Sequence, residues 1–108
     1  MLIYEVNLTV AADVASPFAR WLTLHIQEML AIDGFCWATL YDRDHADDGT
    51  KRCITVHYGV SDRDQLENYF AQHAARMRDD GRAKFGDAFT ADRRVLTEVE
   101  RYVPEPRA

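Results

Sequence analysis

At 108 residues, with 47% apolar and 29% charged side chains, the chain has the size and make-up of one globular domain with a single core. A net charge of −5 argues against a nucleic-acid surface, and no run approaches the ~18 apolar residues that a membrane span needs. MLIYEVNLTV at the start holds no Lys or Arg and does not read as a secretory signal. Cys36 and Cys53 fit no C-x-x-C or Cys/His spacing, so reduced thiols in the cytoplasm are the default expectation.

Leu2–Val10 alternates, with Leu2, Tyr4, Val6, Leu8 and Val10 opposite Ile3, Glu5, Asn7 and Thr9, which predicts a strand. A helix follows, with Ser16 as its expected N-cap, Pro17 in its first turn and Asp13 as the competing cap. Its apolar stripe is Phe18, Trp21, Leu22, His25, Ile26 and Met29, spaced i, i+3, i+4, i+7, i+8 and i+11. Gly34 suits the left-handed end of that helix. Phe35–Tyr41 predicts a second strand, with Phe35, Trp37, Thr39 and Tyr41 on one side. The polar link Asp42–Thr50 makes a hairpin with a third strand, Lys51–Val60.

Asp62 and Gln65 form a capping box for a second helix, whose stripe Leu66, Tyr69, Phe70, His73, Ala74 and Met77 repeats the first at identical offsets. Asp79 and Asp80 suit a helix C-terminus badly, so this helix is expected to finish near Arg78 and to be ended by Gly81, with one further turn over Arg82–Asp87. Phe89–Leu96 is the fourth strand. Residues 1–96 thus form one domain, and 97–108 a charged tail that contains Pro104 and Pro106.

The order β-α-β-β-α-β is the ferredoxin-like plan, an α+β fold with an antiparallel sheet ordered 4-1-3-2 and both helices on one face. The other face then carries Ile3, Phe35 or Cys36, Trp37 or Ala38, and Cys53, too much apolar surface to leave wet. Two sheets packed face to face in a homodimer would cover it, with Glu5, Asn7, Trp37, His57 and Arg93 (or Arg94) in the seam as a register-fixing network.

For chemistry, His25 and His73 are the leading candidates, both expected to point at the sheet. There they are either satisfied core residues or, with Tyr4, Trp21, Tyr58 and Tyr69, the lining of a cavity for a hydrophobic or aromatic molecule. Either imidazole suits acid/base work near neutrality. Metal or haem ligation is not expected, because neither histidine is read as sharing its helical face with a carboxylate at ligand spacing, and no cofactor enters the reading. Asp42, Asp44, Asp47, Asp48 and Gly49 fail the calcium-loop pattern, which needs an acid, a glycine and a glutamate where Ala46, Asp47 and Cys53 stand. Arg76, Arg78, Arg82 and Lys84 form a basic patch that answers a helix dipole before it captures an anion. Strand one resembles that of RNA-recognition modules, but Cys53, Thr55 and His57 supply no aromatic platform on strand three. No P-loop, nucleophile elbow or G-x-G-x-x-G occurs.

Tyr4–Leu8, Trp21-Leu22 with His25 and Glu28-Met29-Leu30, Gly34-Phe35, and Phe89 with Arg93–Leu96 resemble a family of small uncharacterised bacterial proteins. That family is a domain of unknown function in the dimeric α/β-barrel superfamily. The resemblance implies ferredoxin-like protomers paired sheet to sheet and a ligand cavity between each protomer's helices and its sheet. It also brings cofactor-free monooxygenases, haem-degrading enzymes and lactone isomerases into the wider kinship, without a catalytic residue to carry across. The expectation is a cytoplasmic homodimer that binds a small hydrophobic or aromatic molecule in a cavity between helices and sheet, without established catalysis. The alternative is a cofactor-independent monooxygenase- or isomerase-like enzyme that uses His25 or His73.

Overall fold

Period-two alternation and helical periodicity build the elements in the expected order. A computed structural model describes residues 1–43 and 49–107. Its elements are β1 (Leu2–Ala11), α1 (Ala15–Leu30), β2 (Phe35–Asp42), β3 (Lys51–Val60), α2 (Arg63–Gln72), α3 (Ala74–Phe85) and β4 (Phe89–Thr97), with single 3-10 turns at Ala12–Val14 and Gly86–Ala88. The acidic residues Asp44, Asp47 and Asp48 of the hairpin link lie outside the described residues. The sheet order is β2-β3-β1-β4 with every pairing antiparallel, which is the ferredoxin-like arrangement.

β1 is central, and its alternation decides the two faces. Leu2, Tyr4, Leu8 and Val10 are buried under the helices with Phe18, Leu22, Met29 and Leu66. Aromatic rings fill the space between them: Tyr4 lies 5.6 Å from Tyr69, Phe35 5.0 Å from Tyr69, and Phe18 5.1 Å from Phe89. Truncating Leu66, which has no exposed surface, to alanine removes on the order of 2–5 kcal/mol of stability.

Several local expectations need correction. α1 starts at Ala15, and neither Asp13 nor Ser16 caps it; the 3-10 turn feeds straight into the helix and Pro17 falls within its first turn, where a missing N–H costs little. Gly34 does hold a positive φ of 89°, but in the turn leading to β2, where its carbonyl accepts from Ser61 N–H at 2.9 Å. The register of β2 shifts between Phe35 and Trp37, so the bulged Cys36 reverses the alternation. Phe35 therefore enters the core while Trp37, opposite Gly59, faces the other way.

The second helical stretch is broken at His73, where φ −129° and ψ −30° interrupt the helical run. The helix then continues past Asp79, Asp80 and Gly81 as far as Phe85, and Gly86 at φ 52° ends it. Gly81 sits in the helix interior because of what lies beside it: a Cβ there would stand 2.8 Å from the Trp21 ring. Asp62 caps α2 as expected, accepting from Gln65 N–H at 2.9 Å.

Candidate functional site

Between α1, α3 and the sheet lies a cavity of about 40 Å³, room for a few waters. Tyr4, Trp21, His25, Tyr58 and Tyr69 line it, together with Arg78 and Arg93. Trp21 and His25, one turn apart on α1, stack with ring centroids 4.6 Å apart and planes 22° from parallel. The Trp21 indole N–H donates to the Asp80 carboxylate at 3.1 Å, tying α1 to α3. Arg78 donates to the Tyr4 hydroxyl at 3.2 Å.

Among the described residues, two polar atoms in this wall are buried without a hydrogen-bond partner: Nδ1 of His25 and Nε of Arg78. Each such group costs roughly 1–3 kcal/mol unless something answers it. Burial also lowers the proton affinity of His25 below its usual value, with nearby Arg93 adding to the effect and the carboxylates of Glu28 and Asp80 opposing it. The imidazole is therefore neutral at pH 7. Burial pushes the phenols of Tyr58 and Tyr69 up, so both stay protonated.

His73 does not join this set. It sits at the helix break, its Nδ1 within 3.1 Å of the Arg76 guanidinium, and lines a surface groove with Glu28, Asp33 and Asn68. The repeat that paired it with His25 fails because the interruption at that very residue turns its side chain away from the cavity. The sequence pattern does not mark Arg78 and Arg93 as cavity residues: Arg78 falls in a basic patch, and either Arg93 or Arg94 is expected on the opposite sheet face. The register decides the second case: Arg93 stands opposite Val6 on the helix side, whereas Arg94 stands opposite Glu5.

The absence of a carboxylate near either histidine also needs correction. Glu28 is three residues beyond His25 on α1, and Asp80 approaches from α3. One donor atom from each of the three lies within 4.8 Å of the others. The Glu28 spacing was legible in the sequence; the approach of Asp80 depends on tertiary packing.

On the far face of the sheet Glu5 is 5% exposed and gathers its neighbours. It accepts from His57 at 2.8 Å, from Asn7 at 3.0 Å and from Arg94. Asn7 accepts in turn from Thr55 at 2.6 Å, and Thr55 from Arg43 at 3.1 Å. Burial alone raises the Glu5 carboxyl, but the hydrogen bonds from Asn7, Arg94 and His57 outweigh it and hold the group down at about 2. Trp37, 38% exposed, and Tyr41 complete the apolar part of this face. No helix is long and apolar enough to cross a membrane among the described residues.

Solved structures share the fold. The cofactor-independent oxygenase SnoaB from Streptomyces nogalater, as a point mutant, matches with a TM-score of 0.69 at 18% identity, over 96% of this chain and 98% of that one. A monooxygenase from the gene ActVA-Orf6 of Streptomyces coelicolor, in complex with the ligand nanaomycin D, matches at 0.68 and 18%, over 96% and 92%. A putative antibiotic biosynthesis monooxygenase from Deinococcus radiodurans matches at 0.67 and 14%, over 99% and 100%. At these identities the likeness establishes the fold alone. No curated protein matches the chain. The family model described as Domain of unknown function (DUF4286) matches residues 1–99, and the chain belongs to that family.

Proposed function

We propose that this protein binds a small aromatic molecule bearing an acidic group in the cavity between α1, α3 and the sheet. The observation that carries the reading is the unanswered polarity of an otherwise aromatic wall: His25 Nδ1 and Arg78 Nε are buried without partners. Arg78 and Arg93 also line the groove outside, beside Arg82, and among the described residues no carboxylate stands within ion-pair distance of these guanidiniums. Rings such as Trp21 and Tyr69 take an aromatic body, and a guanidinium takes a carboxylate or phenolate. Structural neighbours described as an oxygenase and as monooxygenases, one of them holding nanaomycin D, support a small-molecule ligand.

A cavity of about 40 Å³ does not admit such a molecule without opening, since even benzene occupies engineered cavities of about 150 Å³. Admission of the ligand therefore requires α3 to move from the sheet, with the break at His73 as the hinge and the Trp21–Asp80 and Tyr4–Arg78 bonds as the contacts that must open. Catalysis is the second reading, and it rests on His25 alone: a neutral imidazole with an unpartnered nitrogen is poised to accept a proton from a bound phenol. His73 takes no part in it.

The same reading makes the protein a cytoplasmic homodimer joined through the sheet face that carries Glu5 and Trp37. Two cysteines without C-x-x-C or Cys/His spacing suit that compartment. Calorimetric titration with 1-hydroxy-2-naphthoate tests the ligand site. Saturable binding that weakens roughly tenfold in Arg93→Met, as loss of a charge-assisted bond requires, supports it. Equal affinity in the variant, or no binding to wild type, removes it.

A further inference from the structure

His25, Glu28 and Asp80 bring an imidazole and two carboxylates together from two helices, and no contact described above uses all three. His25 belongs to the cavity wall and Glu28 to the surface groove beyond it, so the cluster stands between the two. From this juxtaposition we infer that His25, Glu28 and Asp80 form a binding site for one divalent transition-metal cation such as zinc or manganese.

The donor set suits that class, since imidazole with carboxylates selects N/O-binding metals over calcium, which takes oxygen alone. The donor atoms lie within 4.8 Å of one another. Ligands bonded at about 2.0–2.2 Å stand roughly 3–4 Å apart, so side-chain adjustments of about 1 Å close the set. Glu28 is an exposed surface side chain, and such a change costs it little. Asp80 is already oriented, because one of its carboxylate oxygens accepts from Trp21 at 3.1 Å and the other is left for a cation. His25 Nδ1 is buried and has no hydrogen-bond partner among the described residues, so a ring nitrogen is left for a cation. Three protein ligands leave coordination positions open beside the cavity, for water or for an oxygen of the bound molecule. A cation held here would also occupy the imidazole, so metal binding and acid/base use of His25 exclude each other where they share a nitrogen.

The test uses the full chain without any small-molecule ligand, so its outcome is separate from that of the aromatic site. Zinc chloride titrated by calorimetry should saturate at one equivalent per chain. Affinity should fall roughly tenfold or more in Glu28→Gln and in Asp80→Asn, an amide that still accepts from Trp21. Cobalt chloride should give the visible bands of nitrogen and oxygen ligation. No saturable zinc binding overturns the inference, as does binding that both variants leave unchanged. A sulfur-to-cobalt charge-transfer band overturns it too, since it would move the site to Cys36 or Cys53.

Discussion

Arg93 and Arg94 are adjacent in β4 and leave it on opposite faces of the sheet, Arg93 beside the cavity and Arg94 onto Glu5. Their substitution should therefore separate two properties. The Arg94 side chain is largely exposed, so Arg94→Ala should cost under about 1 kcal/mol in urea unfolding and leave naphthoate binding unchanged. Arg93→Met should weaken binding while stability stays near wild type. An exchange of these phenotypes would reverse the faces.

Glu5 sets the acid behaviour. Its carboxyl is held at about 2 in the folded chain, below the ordinary 4.5, so its stabilising contribution is complete above pH 4.5 and lost as pH falls towards 2. Chemical denaturation across that window should show stability declining with acid, with a shallower decline in Glu5→Gln. The substitution itself should cost about 2 kcal/mol at pH 7, as expected for loss of a carboxylate that accepts several charge-assisted bonds. Parallel wild-type and variant profiles would show that the network contributes no folded-state proton linkage.

Gly81 is where α3 meets Trp21. Gly81→Ala gains about 1 kcal/mol of helix propensity but places a methyl 2.8 Å from the indole, an overpacking cost of about 1–3 kcal/mol. A net loss near 1 kcal/mol is expected, with a changed near-ultraviolet circular dichroism signal as Trp21 moves. Stabilisation with an unaltered spectrum would mean that the ring is not seated there.

Pairing of the sheets through the Trp37 face predicts that the wild-type chain sediments as a dimer and that Trp37→Asp sediments as a monomer. A variant dimer as tight as wild type would assign the contact to another surface.

Much of this architecture was legible because strand alternation and helical periodicity are local signals. β1 and α1 could be read almost to the residue, and Asp62 with Gln65 announced the start of α2. What escaped the sequence reading depends on partners distant in the chain. Cys36 bulges out of β2, which reverses the face of Trp37 relative to Phe35, and the glycine that accommodates Trp37, Gly59, lies across the sheet on β3. His73 breaks its helix although nothing in its residue type requires it. Gly81, which reads as a terminator, is instead the notch that receives Trp21. The cavity's aromatic residues were accessible from their stripes, whereas Arg78 and Arg93 needed the helix phase beyond His73 and the β4 register. Asp80 reads as a poor helix end, and its contact with Trp21 across 59 positions has no local signature.

The two tryptophans report separately on the two faces of the sheet, Trp21 in the cavity wall and Trp37 on the far side. Nitrogen-15 correlation spectra recorded while 1-hydroxy-2-naphthoate is added give the most direct measurement. Occupation of the cavity predicts that the Trp21 indole and His25 resonances shift together and saturate while the Trp37 indole stays in place. Shifts confined to Trp37, or none at either ring, would contradict an aromatic ligand between the helices and the sheet.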